Sequence, residues 1–246
     1  MAMILNEIAV YGHLFTDYIY FLNSFPTENI PVDYEKRITK LGGTENFCNS
    51  FSEINKDLNI QRIEANSESI ILLNKENGSR TSISTWGDYS NINTSKVSAN
   101  THWAHFMYLD KLVDLNESLF EKLKKNNSII SVDLCSDTHS VLEMAKMKNL
   151  FKYVDFLFCS DVESSDIMDI VTSQKNYTIH SPSSIVVNGA HIKNEDYEPK
   201  VENMLGAGDK FAATAVDSYI RGKSFEESCI IAMKATSKFV KAKGDT

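Results

Sequence analysis

The residues best suited to chemistry lie late in the chain, in Asn203-Met204-Leu205-Gly206-Ala207-Gly208-Asp209-Lys210-Phe211. Gly206, Ala207 and Gly208 turn the backbone tightly, and glycines let successive N–H groups converge because no Cβ blocks the approach. Asp209 then opens an apolar helical pattern in Phe211, Ala212, Ala215, Val216, Tyr219 and Ile220. A helix that starts there adds the positive end of its dipole, and the two together make an anion site suited to phosphate. A carboxylate at that end can take a proton from a hydroxyl beside a bound phosphate, which is general-base work. Taken alone, Gly-x-Gly-Asp also fits a plain loop with Asp209 as an N-terminal helix charge or cap.

The elements that must position this stretch alternate along the chain. Met3-Ile4-Leu5, continued through residues 7–11, reads as a buried first strand ending at Gly12. Residues 18–22 and 33–40 read as two short paired strands. A helical pattern through Phe51, Ile54 and Leu58 follows Gly42-Gly43. Residues 60–65 and 70–73 read as two further strands, the second turning at Asn77-Gly78-Ser79-Arg80-Thr81 into a hairpin over 81–86. Trp86 and Tyr89 read as packing aromatics.

Residues 115–123 form an amphipathic surface helix. Residues 129–133 are a strand ending in the acid Asp133, 141–150 another helix and 156–159 another strand, which predicts a parallel sheet with crossover helices. In such sheets ligands sit beyond the carboxyl ends of the strands, where Asp133 and Ser160 fall. Residues 177–181 and 185–189 read as a hairpin. Ser224-Phe225-Glu226-Glu227 is a capping box that starts the last helix. His102 and His105 have helical spacing, but no carboxylate or cysteine beside them completes a metal set, so they read as buried structural residues.

Gly-Ala-Gly-Asp-x-Phe-x-Ala at 206–213 resembles the C-terminal signature of the ribokinase family, the PfkB-type carbohydrate and nucleoside kinases. Earlier segments are similar to that family in order: Gly12 followed five residues on by Asp17, Gly42-Gly43 with Asn46, the Gly78-Ser79-Arg80-Thr81 turn, and Ser160-Asp161-Val162-Glu163 in the place of Asn-x-x-Glu. The resemblance implies a ribokinase-like three-layer α/β sandwich with a central, mostly parallel sheet and a small β lid. It implies one domain over 1–246, with lid strands inserted around 17–41 and 79–89. The implied activity is an ATP-dependent phosphotransferase acting on a hydroxyl of a small sugar or nucleoside.

The roles implied follow residue by residue. Asp209 is the base, and the backbone of Gly206, Ala207 and Gly208 holds the charge that develops on the phosphoryl oxygens. Asp17, Gly42, Gly43 and Asn46 orient the acceptor. Asn203, Gly206 and Gly208 contact ATP, and Glu163 assists Mg2+. The chain departs from the family in Ser160, in Asn203, in a missing helix–strand unit before residue 70, and in lacking a Gly-x-x-Gly turn in the 181–184 hairpin. It also stops at Thr246, short of a further adenine-contacting segment. These departures carry the alternative: a kinase-fold protein that binds a sugar, nucleoside or protein partner without catalysis.

Composition bounds the rest. With 246 residues, 42% hydrophobic and 24% charged, the chain reads as one soluble domain. A net charge of −8 without a Lys/Arg stripe argues against nucleic acid as partner. Cys48, Cys135, Cys159 and Cys229 are scattered and read as reduced thiols. No apolar run reaches membrane-spanning length and the start lacks a signal-peptide layout, so the expectation is a cytoplasmic protein with no membrane partner. An apolar lid face near residues 18–21 is the place where a homodimer would form.

Overall fold

Successive residues of a strand point to opposite sides, and in β1 (Glu7–Leu22) both sides of the first half are buried. Ile8 and Val10 enter one core while Ala9 and Tyr11 enter another. A strand buried on both sides requires covering layers on both, and the computed structural model has them. It describes residues 7–76, 78–88, 101–112, 117–135, 148–165, 167–197 and 204–244. Asn77, Tyr89, Asn203 and most of the helix expected over 141–150 lie outside these residues.

Ten strands form one sheet in the order β10-β9-β8-β7-β6-β5-β1-β3-β4, with β2 on the other side of the distal half of β1. They are β2 (Lys36–Gly43), β3 (Asn59–Asn74), β4 (Arg80–Thr85), β5 (Trp103–Met107), β6 (Ile129–Asp133), β7 (Phe156–Ser160), β8 (Tyr177–His180), β9 (Ser184–Val187) and β10 (Ala190–Lys193). The central run from β3 through β1, β5, β6 and β7 to β8 is parallel. One face carries α1 (Thr44–Ile54), α5 (Ala207–Ile220) and α6 (Phe225–Gly244), packed through Phe47, Phe51, Phe211 and Phe225. The other carries α2 (Glu117–Lys125) through Leu119, Phe120 and Leu123, and the short α4 (Met168–Thr172) through Val171. The short α3 (Asp161–Ser164) follows β7. Ser224 and Glu227 form the expected reciprocal cap on α6, with the Ser224 N–H donating to Glu227 and the Glu227 N–H to Ser224 Oγ.

Three expectations are corrected. First, β1 does not end at Gly12 but continues to Leu22. Gly12 serves packing there: a Cβ on it would stand 2.8 Å from Thr44 Cγ2 and 3.2 Å from Met107. Second, the two strands expected at 60–65 and 70–73 are one, β3, paired in parallel with β1 from Glu7↔Asn59 to Leu22↔Asn74. Asn66, Ser67, Glu68 and Ser69 break its apolar pattern without ending it. Ser67 Oγ accepts from the Gly87 N–H and bonds His13, and Ser69 Oγ accepts from Ser84 Oγ, so both serines are satisfied inside a strand. Third, the helical spacing of His102 and His105 does not reflect a helix: His105 lies on a strand, stacked on Phe47 at 4.0 Å and bonded to Ser131 Oγ at 2.8 Å, while its reading as a buried structural residue holds. Burial pushes its pKa down to about 3, so it is a neutral core residue. β10 carried no sequence signal that distinguished it from loop.

Beyond Gly12, the distal halves of β1 and β3 join β2 and β4 in a four-strand lid ordered β2-β1-β3-β4. The registers place Lys40 beside Asp17, and Arg80, Ser82 and Ser84 beside Leu73, Ile71 and Ser69, on one face. On that face Ile19, Ile71 and Leu73 pack against Leu205, just before α5. Among the described residues no helix is long and apolar enough to cross a membrane.

Candidate active site

The approach to α5 is set by Gly206, whose φ of 79° and ψ of 8° lie in the left-handed region that glycine enters without steric cost. Ala207 donates its N–H to the Met204 carbonyl at 3.0 Å, and Lys210 donates to Gly206 at 3.0 Å. The N–H groups of Gly206, Gly208 and Asp209 have no partner among the described residues, so these are the donors the turn leaves open to an anion. Ala207, expected among them, spends its N–H closing the turn.

Asp209 accepts a hydrogen bond from Asn46 Nδ2 at 2.9 Å. Burial pushes its carboxyl up to about 6, against the opposing pull of the Asn46 bond and of Arg80 and Lys40. Asn46 reaches it because α1 starts directly after Gly43, whose φ of 61° and ψ of −127° swing the chain out of β2. α1 then docks on α5 through Phe47 and Phe51. Residues 163 apart in sequence thus meet at one carboxylate.

A cavity of about 380 Å³ opens in front of Asp209, bounded by Asp17, Asn46, Gly43, Phe15, Trp86 and Tyr108. Three rings form one wall, with Phe15–Trp86 at 5.2 Å and both Phe15–Tyr108 and Trp86–Tyr108 at 5.5 Å, all edge to face. Asp17 is 7% exposed. Burial raises its pKa, with Lys40 and Arg80 pulling it down. Gly42 does not line the cavity; it makes room, since a Cβ there would fall 2.1 Å from Asp17 Oδ2.

A larger cleft of about 750 Å³ lies on the other side of the same helical turn, with Ser160, Glu163, His180, Ala207, Gly208 and Thr236 on its walls. The two spaces share Arg80, Ser82, Cys135 and Leu205. Gly206 and Asp209 face the smaller one, Ala207 and Gly208 the larger.

Further acids gather at this junction. Glu163 and Ser160 cap α3 reciprocally, the Ser160 N–H donating to Glu163 at 2.7 Å and the Glu163 N–H to Ser160 Oγ at 3.2 Å. Burial pushes Glu163 up to about 7. Asp133, 3% exposed at the end of β6, is raised well above the carboxylate range by burial and then by the charges of Glu163 and Asp209. Ligand atoms of Asp133, Cys135 and Asp209 lie within 4.8 Å of one another. The oxygens of Asp133, Asp209 and Glu163 suit a hard cation such as Mg2+; the Cys135 sulfur does not.

Asp209, Asn46, Asp17, Gly43 and Gly206 thus converge, with Glu163 across the junction, while Asn203 lies outside the described residues. Sequence reasoning did not single out Cys135 or Arg80 as lining residues, or Lys40 as a charge acting on Asp17 and Asp209. Lys40 was reachable in principle, because alternation along β2 puts it on the Asp17 face once the register is known. Cys135 carries no motif; a φ of 51° turns it in.

No sequence-family model matches the chain, and no curated protein matches by sequence. Solved structures do match. The nucleoside kinase of Methanocaldococcus jannaschii, described as an archaeal member of the ribokinase family, has a TM-score of 0.61 at 17% identity over 97% of this chain and 93% of its own. Ribokinase of Thermotoga maritima has a TM-score of 0.71 at 15% identity, over 98% and 93%. Adenosine kinase of Sinorhizobium meliloti has a TM-score of 0.72 at 14% identity, over 96% and 94%. At such identities the likeness is one of chain path, and with the ten-stranded, mostly parallel sheet, its helical layers and its lid it establishes that this protein has the ribokinase-like fold.

Proposed function

We propose that the protein transfers the γ-phosphoryl group of ATP to a hydroxyl of a small sugar or nucleoside. The observation that carries this reading is the meeting of two cavities at the first turn of α5, with Asp209 facing one and Gly208 the other. Phosphoryl transfer needs that arrangement: acceptor and donor approach one point from opposite sides, in line, with water excluded.

In the smaller cavity Asp17 and Asn46 orient the acceptor, and Asp209 takes the proton of the attacking hydroxyl. The new O–P bond forms as the bond to the departing diphosphate breaks, and the proton stays on Asp209. Charge on the phosphoryl oxygens meets the N–H groups of Gly208 and Asp209 and the guanidinium of Arg80, which borders both spaces. Asp133 and Glu163 would hold Mg2+, which when bound neutralises phosphate oxygens. One observation favours the second reading, a non-catalytic sugar or nucleoside binder: Glu163 already caps α3.

Thermal melting decides between them. At a hundredfold excess over Kd, Mg-ATP is expected to raise Tm by roughly 5–10 °C, with a further rise from one member of a sugar and nucleoside panel. A rise with an acceptor but none with Mg-ATP would leave only the binding reading.

We also propose that two copies pair lid to lid. Leu41, Ile70 and Ile83 stand 48%, 41% and 65% exposed on the face of the lid turned away from Asp17, an apolar surface a lone sheet does not ordinarily leave open. The protein should sediment as a dimer and its Ile83→Asp variant as a monomer; a monomeric unaltered protein at micromolar concentration sinks the idea.

A further inference from the structure

Asn46 sits in the first turn of α1, and the start of that helix is not held by a cap. Gly43 precedes it without a side chain to accept from the open N–H groups, and no side-chain cap forms. Two residues of β3 hold the turn instead. Thr44, fully buried, donates its hydroxyl to Glu64 Oε2 at 2.5 Å, and Arg62 Nη1 donates to the Glu45 carboxylate. Arg62 and Glu64 stand 3.9 Å apart, so the four side chains form one connected group. Alternation along β3 places Arg62 and Glu64 on the same side as Ile60, which packs in the core beneath α1 and α5. Half-exposed ion pairs add little to stability. Two charged residues in succession on that stripe are better accounted for by the position they fix.

That position is Asn46, the donor to Asp209 at 2.9 Å. Its amide also lies against Gly206, where a Cβ would come within 3.5 Å of Cγ and Nδ2. Glu64 is in register with Gly12, five residues before the Asp17↔Ser69 pair, so the two strands that carry Asp17 also carry the anchor of α1. We infer that Glu64, supported by Arg62, is a positioning residue for the transfer: it ties the first turn of α1 to β3 and keeps Asn46 on the Asp209 carboxylate, in fixed relation to Asp17. Neither Glu64 nor Arg62 lines either cavity, so both act through Asn46. This assignment rests on the phosphotransferase reading above.

Four variants of the full chain test it. Thr44→Val keeps the shape and removes the hydroxyl, Glu64→Leu removes its acceptor, Glu64→Gln returns an oxygen to Thr44, and Arg62→Gln releases Glu45. The first readout needs no substrate: the side-chain amide nitrogen resonance of Asn46. Thr44→Val and Glu64→Leu should move it toward its position in Asp209→Ala, where the bond is absent, and Glu64→Gln should return most of the shift. The second is turnover of Mg-ATP with the sugar and nucleoside panel. A slightly misplaced catalytic group is costly, so kcat should fall about tenfold in Thr44→Val and Glu64→Leu. In an Asn46→Ala background the same substitutions should cost nothing further, whereas general damage to the fold would lower kcat equally in both backgrounds. An unmoved Asn46 resonance overturns the assignment, as does an equal loss in the two backgrounds. Should the Thr44 and Glu64 variants fail to fold, the exposed Arg62 decides: Arg62→Gln should shift the resonance the same way by less, and no shift overturns the assignment. Turnover absent with every member of the panel takes down the phosphotransferase reading and the role in transfer with it; an unmoved resonance beside normal turnover takes down this assignment alone.

Discussion

Asp209→Asn is expected to lower turnover by about 10²–10⁴-fold while leaving acceptor binding in place. The amide keeps the shape of the carboxylate and an oxygen to accept the Asn46 Nδ2 hydrogen, the contact that spans 2.9 Å. What it loses is the lone pair basic enough to hold the acceptor proton. The pH dependence carries the same signature. With burial pushing Asp209 up to about 6, the carboxyl is protonated and idle below that pH and available above it. The rate should therefore climb as pH rises through about 6 and level off beyond. The Asn46 hydrogen bond stabilises the charged form, so Asn46→Ala should move the climb to higher pH. Equal kcat in Asp209→Asn and the unaltered protein would rule out the base.

Gly43→Ala is expected to destabilise the fold by about 3 kcal/mol, from backbone strain and overpacking acting together. The φ of 61° with ψ of −127° belongs to glycine alone, and the added Cβ would stand 2.2 Å from the His13 carbonyl oxygen and 2.9 Å from Phe15 Cδ2. That carbonyl belongs to β1, which is paired with β2 and β3, so it cannot step aside without breaking strand pairing. For a chain of this size the melting temperature should fall by roughly 6–12 °C. A drop of under about 2 °C in a calorimetric scan would mean that the turn relaxes cheaply and that Gly43 is not what aims α1 at Asp209.

Much of this was legible in the residues. The glycine turn and the acid at the helix start could be named because each type is tied to a local physical need, positive φ and a dipole end; Asn46 and Asp17 were legible only through the family resemblance, since nothing local marks a polar residue inside β1 or early in α1. The alternation of strands and helices was legible for the same reason, since buried parallel strands read as apolar runs. What escaped depended on partners distant in sequence. Gly12 looks like a turn residue, and only the approach of Thr44 and Met107 reveals that it is there for close contact within a continuing strand. The polar run at 66–69 looks like a break until β1 is seen beside it satisfying the ladder. Ala207 seemed free to bind an anion, and the Met204 carbonyl that claims its N–H is a matter of loop geometry. Arg80 could be read as part of a turn, but its place between two cavities follows from the register of β4 on β3.

The unbroken pairing of β1 with β3 also has a mechanical meaning. Core and lid are held on the same two rods over sixteen residue pairs, with no loop between them to act as a pivot. Any opening of the lid has to be shared out as extra twist along both rods, a deformation that paired strands accept in small increments. A lid so held is built like a leaf spring clamped at the core, resting where Ile19, Ile71 and Leu73 touch Leu205. Because that contact sits directly before Gly206, flexing the spring loads the very turn that presents Asp209.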